Sequence, residues 1–206
     1  MLLDRYGILL FDDEVITGFC RTGSMFAAET FGMRPDCMTL AKALSGAYFP
    51  ISAIVMDGAF YDALERGSDD EGIFSHAATY GGHPVAAAVA LRMIEIIEER
   101  DLLGHVRRVG PRLQQLIASL NGHPMVFNNR GVGLGGAVQL HSLAEAVGAR
   151  GRAMQEAMMA EGLLLRVVKD TINFAPPLII TEAEVEELFA RFTRALAAVE
   201  RAEGRT

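Results

Sequence analysis

Apolar and polar positions change rhythm several times along the chain. Residues 7–11 (GILLF) form an unbroken apolar run. Such a run predicts a strand covered on both faces of a sheet. It stops at Asp12-Asp13-Glu14, and acids at that place mark the strand end where open α/β sheets hold ligands. Residues 15–24 (VITGFCRTGS) read as loop, 25–31 as a short helix, and 38–40 as a short strand leading to Lys42. Residues 51–56 (ISAIVM) predict a second apolar strand, after which Asp57 is placed to cap a helix to about residue 66. Residues 67–82 are rich in Gly, Ser, Asp and Ala without periodicity, which predicts a long loop. Pro84 then opens an apolar-periodic helix at a favoured first position. Another helix is expected over 101–120, interrupted by Gly104 and Pro111.

From about residue 124 the pattern alternates differently. MVF, GAVQL, LLLRVV and TINFA predict short strands, interleaved with helices near 143–161 and 182–202. An α/β segment is thus followed by an α+β segment. The expected division is 1–103 and 104–206.

Composition narrows the function classes. Half of the 206 residues are hydrophobic, 22% are charged, and the net charge is −7. That balance argues against a nucleic-acid partner, which requires a concentrated basic surface. No apolar run approaches the roughly 18 residues of a membrane span. The opening residues lack a basic leader and their apolar run is broken by acids, so no signal peptide is expected. Two cysteines, Cys20 and Cys37, imply no disulfide framework, and a reducing cytoplasm is the default location. They lack metal-ligand spacing, and His76, His83 and His141 read as structural or loop residues, so no metal site is expected.

Two residues invite chemistry. Asp13 is either a solvated acid at a strand end or a carboxylate fixed at the ligand edge of a sheet. Lys42 sits in unusually apolar company, TLAKALSGAYFPISA. It either snorkels to the surface or, in a dry pocket, becomes a usable amine nucleophile. Gly131, Gly133 and Gly136 fit G-x-G-x-x-G. A dinucleotide site needs that turn to open a helix, and here an expected strand follows instead.

Taken in order, several motifs resemble the class III aminotransferases of fold type I. The stretch Asp13-Glu14-Val15-Ile16-Thr17-Gly18-Phe19-Cys20-Arg21-Thr22-Gly23 is similar to that family's signature. Pro35-Asp36, Ala41-Lys42-Ala43-Leu44, Gly46, Tyr48 and Pro50 follow, then Thr79-Tyr80-Gly81-Gly82-His83-Pro84. Gly162-Leu163-Leu164-Leu165-Arg166 and Ala175-Pro176-Pro177-Leu178-Ile179-Ile180-Thr181 complete the likeness.

The resemblance implies the end of a large α/β domain over 1–103 and a small α+β C-terminal domain over 104–206. It implies pyridoxal 5'-phosphate as cofactor, with Lys42 forming the aldimine and then serving as base. Asp13 would pair with the pyridine nitrogen, Val15 would pack on a ring face, and Thr79 would bind the phosphate across a homodimer interface. Arg166 would receive a substrate carboxylate, for which a planar fork is suited. The implied reaction moves an amino group from an amino acid or amine, often an ω-amino one, to a 2-oxo acid such as pyruvate. Departures from the family pattern are Cys20, Ala77 and Lys169, each where glycine is usual. A side chain at such a place strains the backbone if φ is positive. In this family a phosphate-binding loop and a stacking aromatic lie upstream of the aspartate motif, and the chain begins at about that motif. The expectation is therefore an aminotransferase segment completed by an N-terminal companion chain. The alternatives are a truncated, non-catalytic fragment, or an aminomutase or decarboxylase of the same family.

Overall fold

The computed structural model describes residues 2–74 and 76–204. Ser75, inside the expected loop, lies outside the described residues. The chain divides into two compact units, Met1–Leu103 and Gly104–Thr206.

The first unit contains α1 (Leu2–Tyr6), β1 (Phe11–Asp13), α2 (Ala27–Phe31), β2 (Cys37–Leu40), β3 (Ala53–Met56), α3 (Gly58–Glu71) and α4 (Pro84–Glu99). Its three-stranded sheet has the order β1-β2-β3, with β1 parallel and β3 antiparallel to β2. The 7–11 run is only partly a strand. Gly7 turns the backbone at φ +60, and pairing starts at Phe11. Nor is the run buried: Phe11 is 58% exposed, and Ile8 and Leu9 are exposed too. β1 pairs on one side only, so alternating burial from two neighbours does not arise. The 51–56 strand begins at Ala53. Asp57 caps α3 as expected, accepting the Phe60 N–H at 2.7 Å. α3 runs five residues past the expected end at 66, to Glu71. Ser68 returns its hydroxyl to the Leu64 carbonyl at 2.8 Å, and Gly72, at φ +71, supplies the left-handed cap. Cys20 and Cys37 are both buried and form no disulfide.

The second unit comprises α5 (Leu102–Ala118, starting at the boundary), β4 (Val126–Val132), β5 (Gly135–Leu140), α6 (Ala149–Ala160), β6 (Arg166–Val168), β7 (Thr171–Phe174) and α7 (Glu182–Ala202). The strands form one antiparallel sheet of order β4-β5-β7-β6. Alternate residues Val138 and Leu140 of β5 and Ile172 and Phe174 of β7 are almost wholly buried, as are Leu113 and Ile117 of α5 and Phe192 and Leu196 of α7. The Phe174 and Phe192 rings meet edge-on at 5.1 Å. Thr181 and Glu184 form a complete capping box at the start of α7.

The G-x-G-x-x-G segment lies in the β4–β5 hairpin, where Gly131 pairs with Gly136. These glycines answer a packing demand. A Cβ on Gly131 would sit 2.6 Å from the Gly135 carbonyl oxygen, and one on Gly136 would sit 2.4 Å from Ile117 Cδ1 of α5.

Two further expectations are corrected in the second unit. The 163–168 strand shrinks to Arg166–Val168. The helix near 143–161 starts only at Ala149, because Gly148 takes φ +89. Asp170, from the turn between β6 and β7, holds that start. Its Oδ2 accepts from the Ser142 hydroxyl and the Gly148 N–H, both at 2.7 Å, and its Oδ1 accepts from the Gly151 N–H at 2.9 Å. Residues with good helix propensity are thereby kept in a turn, satisfying orphan donors at the helix start.

Candidate active site

Asp13 closes β1, and its register partner on the parallel strand β2 is Thr39. The Thr39 hydroxyl donates to Asp13 Oδ1 at 3.1 Å, and the Val15 N–H donates to the same oxygen at 3.1 Å. The carboxylate is therefore fixed while remaining exposed. β2 ends at Leu40, Ala41 is extended, and Lys42 opens a 3-10 turn over Lys42–Leu44. Asp13 and Lys42 thus leave the same, C-terminal end of neighbouring parallel strands. That end is where α/β sheets gather ligand-binding groups.

Lys42 has φ +49, a left-handed conformation that costs a side-chain-bearing residue roughly 1–2 kcal/mol. The turn around it is over-determined. Leu44 N–H donates to Ala41 O and Ser45 N–H to Lys42 O, each at 3.1 Å. The buried Ser45 sends its hydroxyl to Phe49 O at 2.6 Å. α4 packs against this turn. The Lys42 side chain is exposed, and none of the described residues engages its amine by a hydrogen bond or ion pair.

The loop after Asp13 is anchored by a buried acid. Glu14 is 0% exposed; its Oε1 accepts from the Ala28 N–H at 2.8 Å and its Oε2 from the Thr17 hydroxyl at 2.5 Å. Between these anchors Phe19 and Cys20 take φ +62 and +80. Cys20 therefore stands in the conformation that favours glycine, and so does Lys169 at φ +52, whereas Ala77 does not. Val15 is half-buried beside Asp13. Burial, followed by the negative charges of Glu14 and Asp13, holds the Asp12 carboxyl above its ordinary pKa.

Thr79 lies on an exposed stretch before α4. The chain there tightens through Gly81 N–H to Ala78 O at 2.8 Å. His83 then caps α4, its Nδ1 accepting from the Val85 N–H at 3.2 Å. The His83 ring lies 5.0 Å from that of Phe49, which ties the start of α4 to the segment following Lys42. Among the described residues no hydrogen bond joins Thr79 to Asp13, Val15 or Lys42. Arg166 opens β6 in the second unit, exposed, with Asn173 as its register partner. The Asn173 amide donates to the Arg166 carbonyl at 3.3 Å, and no described residue engages the guanidinium.

The structure thus brings Asp13, Val15 and Lys42 to one sheet edge. Reading the sequence alone overlooked Thr39 and the anchoring role of Glu14, whereas His83, expected to be structural, caps α4. Thr39 becomes visible only once β1 and β2 are paired in register.

Comparisons with known proteins agree on a family. Residues 1–196 match the family described as aminotransferase class-III. An uncharacterized aminotransferase, y4uB, of Sinorhizobium fredii is 42% identical over 96% of the chain and 44% of its own length. A probable mitochondrial gamma-aminobutyrate transaminase 3 of Oryza sativa subsp. indica is 38% identical over 97% of the chain and 40% of its own length. Among solved structures, the omega transaminase from Pseudomonas jessenii in complex with PMP superposes with a TM-score of 0.93 at 39% identity. It matches over 99% of this chain and 46% of its own. The chain spans less than half the length of these relatives. With most of its length matched in sequence and fold, the chain belongs to the class-III aminotransferase family, as a partial fold type I structure.

Proposed function

We propose that this chain carries the lysine side of a pyridoxal-phosphate site for transamination between an amino acid or amine and a 2-oxo acid such as pyruvate. The observation that carries the proposal is the joint placement of Asp13 and Lys42 at the C-terminal ends of paired parallel strands, with Asp13 oriented by Thr39. The donor set fits the cofactor: an exposed amine for an aldehyde carbon, a fixed carboxylate for a ring N–H, and an exposed hydroxyl at Thr79 for a phosphate. When bound, pyridoxal phosphate supplies an aldehyde that exchanges amines and a ring that draws electron density from the substrate Cα. Lys42 would hold the aldehyde carbon and move a proton at the substrate Cα. Asp13 would keep the ring nitrogen protonated, using its fixed orientation. Val15 would pack on a ring face, Thr79 would bind the phosphate of a partner protomer in a homodimer, and Arg166 would take a substrate carboxylate in a bidentate fork.

In this reading the first unit belongs to the large cofactor-binding domain and the second is the small domain. Phe11, Ile54 and Val55, all exposed on the first unit's sheet, are where further polypeptide of the family fold, in a companion chain or otherwise, packs. Exposed apolar side chains on both faces of this sheet favour a partner.

The test is spectroscopic. The chain mixed with pyridoxal phosphate, alone and with an N-terminal aminotransferase segment, is expected to develop a visible band. Borohydride should then fix the pyridoxyl group on Lys42, as read by peptide mass. A band and a fixed group that persist in Lys42→Ala would sink the assignment.

A further inference from the structure

β6 is a three-residue edge strand, joined to the sheet through β7 alone. Its register rests on three pairs, of which Arg166 with Asn173 is the outermost. So short a strand takes its orientation from the turn that ends it, Lys169-Asp170. That turn is locked onto α6 from two sides. Asp170, 2% exposed, collects the Ser142 hydroxyl and the Gly148 and Gly151 N–H groups. On the other side, Gly151 lets the helix touch the turn directly. A Cβ there would lie 1.8 Å from the Lys169 carbonyl oxygen and 2.9 Å from Val167 Cγ1. The Asp170 carbonyl also accepts from the Leu140 N–H at 2.8 Å, which joins the turn to the neighbouring strand.

We propose that Asp170 is a positioning residue for Arg166: through the Asp170–α6 joint and the Gly151 contact, it sets the angle at which the Arg166 guanidinium meets a substrate carboxylate. This rests on the reading of Arg166 as the carboxylate receiver. A bidentate fork rewards alignment in two hydrogen bonds at once, so a small rotation of β6 weakens it more than it would a point charge. Asp170 touches no substrate and acts only through the backbone of β6.

The experiment uses the full chain with labelled arginine and follows the Arg166 Nε–H resonance, assigned by its loss in Arg166→Lys. The titrants are 4-aminobutyrate and, as a carboxylate-free control, butylamine. In the unaltered chain the resonance should move saturably with 4-aminobutyrate and stay still with butylamine. Asp170→Ala and Gly151→Ala should each weaken the response at least about fivefold, a loss typical of misaligned charged hydrogen bonds. Gly151→Ala pushes the Lys169 carbonyl off α6, so Asp170→Asn, which keeps the side chain's size and one acceptor oxygen, carries the test if either variant fails to fold. Thr181→Ala, which removes the distant α7 cap, should leave the titration unchanged. No saturable shift in the unaltered chain would overturn the Arg166 assignment itself, and this proposal with it. A normal Arg166 response that survives both joint variants, or one equally weakened by Thr181→Ala, would overturn the positioning role alone.

Discussion

The two units bury different kinds of groups. Of the twelve largest wholly buried side chains among the described residues, eleven are apolar and lie in the second unit, from Leu113 to Leu196. The twelfth is Glu14, in the first. The second unit is organised around a packed core of sheet and helices. The first commits its deepest large side chain to a carboxylate that ties down a loop, and leaves large apolar residues such as Phe11, Ile54 and Tyr48 exposed. Apolar packing dominates the second unit, which adds one buried polar joint at Asp170, whereas the first depends on a buried carboxylate at its loop. Functional segments are commonly drawn from the less stable part of a fold.

The sharpest way to break this contrast is a pair of truncations. Phe192→Ala empties a fully buried site and should cost about 4 kcal/mol, whereas Ile54→Ala, on a side chain 54% exposed, should cost under about 1 kcal/mol. Urea titration of both variants checks this, and equal losses would erase the distinction between the units.

Next in size is the Asp170 joint. Asp170→Ala strands three donors and should cost about 3 kcal/mol. Acid exposes a difference of sign between the units. Burial alone would raise the Asp170 pKa, but hydrogen bonds from Ser142, Gly151 and Gly148, with the charge of Arg150, bring it below its ordinary value of 3.8. Its stabilisation is full above that value and is lost as the pH falls through the lowered folded pKa. Asp12 behaves oppositely. Burial and the charges of Glu14 and Asp13 raise its pKa above 3.8, so its contribution is full below that value and is lost as the pH rises through the folded one. Hydrogen exchange across a pH series should show acid loosening the second unit in a manner abolished by Asp170→Asn. Asp12→Asn should tighten the first unit at neutral pH. A shared sign in the two units would contradict the account.

Smaller still is the α7 cap: Thr181→Ala breaks the box with Glu184 and should cost about 1 kcal/mol in thermal unfolding. Smallest are the two positive-φ side chains that replace the family's glycine. Lys169→Gly, at an exposed position, should gain about 0.5 kcal/mol, strain relief exceeding the added unfolded-state entropy. Cys20→Gly, where the side chain is 0% exposed, should come out near zero because lost burial cancels the relief. Denaturant midpoints compare the two directly.

These two positions also mark what the sequence made legible. A departure from a glycine pattern foretold a left-handed backbone at Cys20 and Lys169 but not at Ala77, so the pattern carried the backbone condition at two of its three positions. Helices announced by local chemistry, Asp57 before α3 and Pro84 opening α4, start where capping put them, although α3 runs on past residue 66 to Glu71. Tertiary partners were not legible. The turn over 143–148 opposes local propensity because Asp170, more than twenty residues away, claims its donors. The run at 7–11 reads as buried because apolarity says nothing about how many neighbours a strand has. At the candidate site, Asp13 and Lys42 could be named from motif order, but Thr39 needed the register of two strands to appear beside Asp13.

The placement of the cysteines has a practical consequence. Both thiols of the chain, Cys20 and Cys37, are buried in the first unit, and the second has none. A thiol-reactive dye can reach them only when the first unit opens. Its labelling rate is therefore a clock for that opening, unaffected by breathing of the second unit. The slope of that rate against denaturant gauges how much surface each opening uncovers. No tag or engineered probe is required: the chain carries its own meter for the half that holds Lys42.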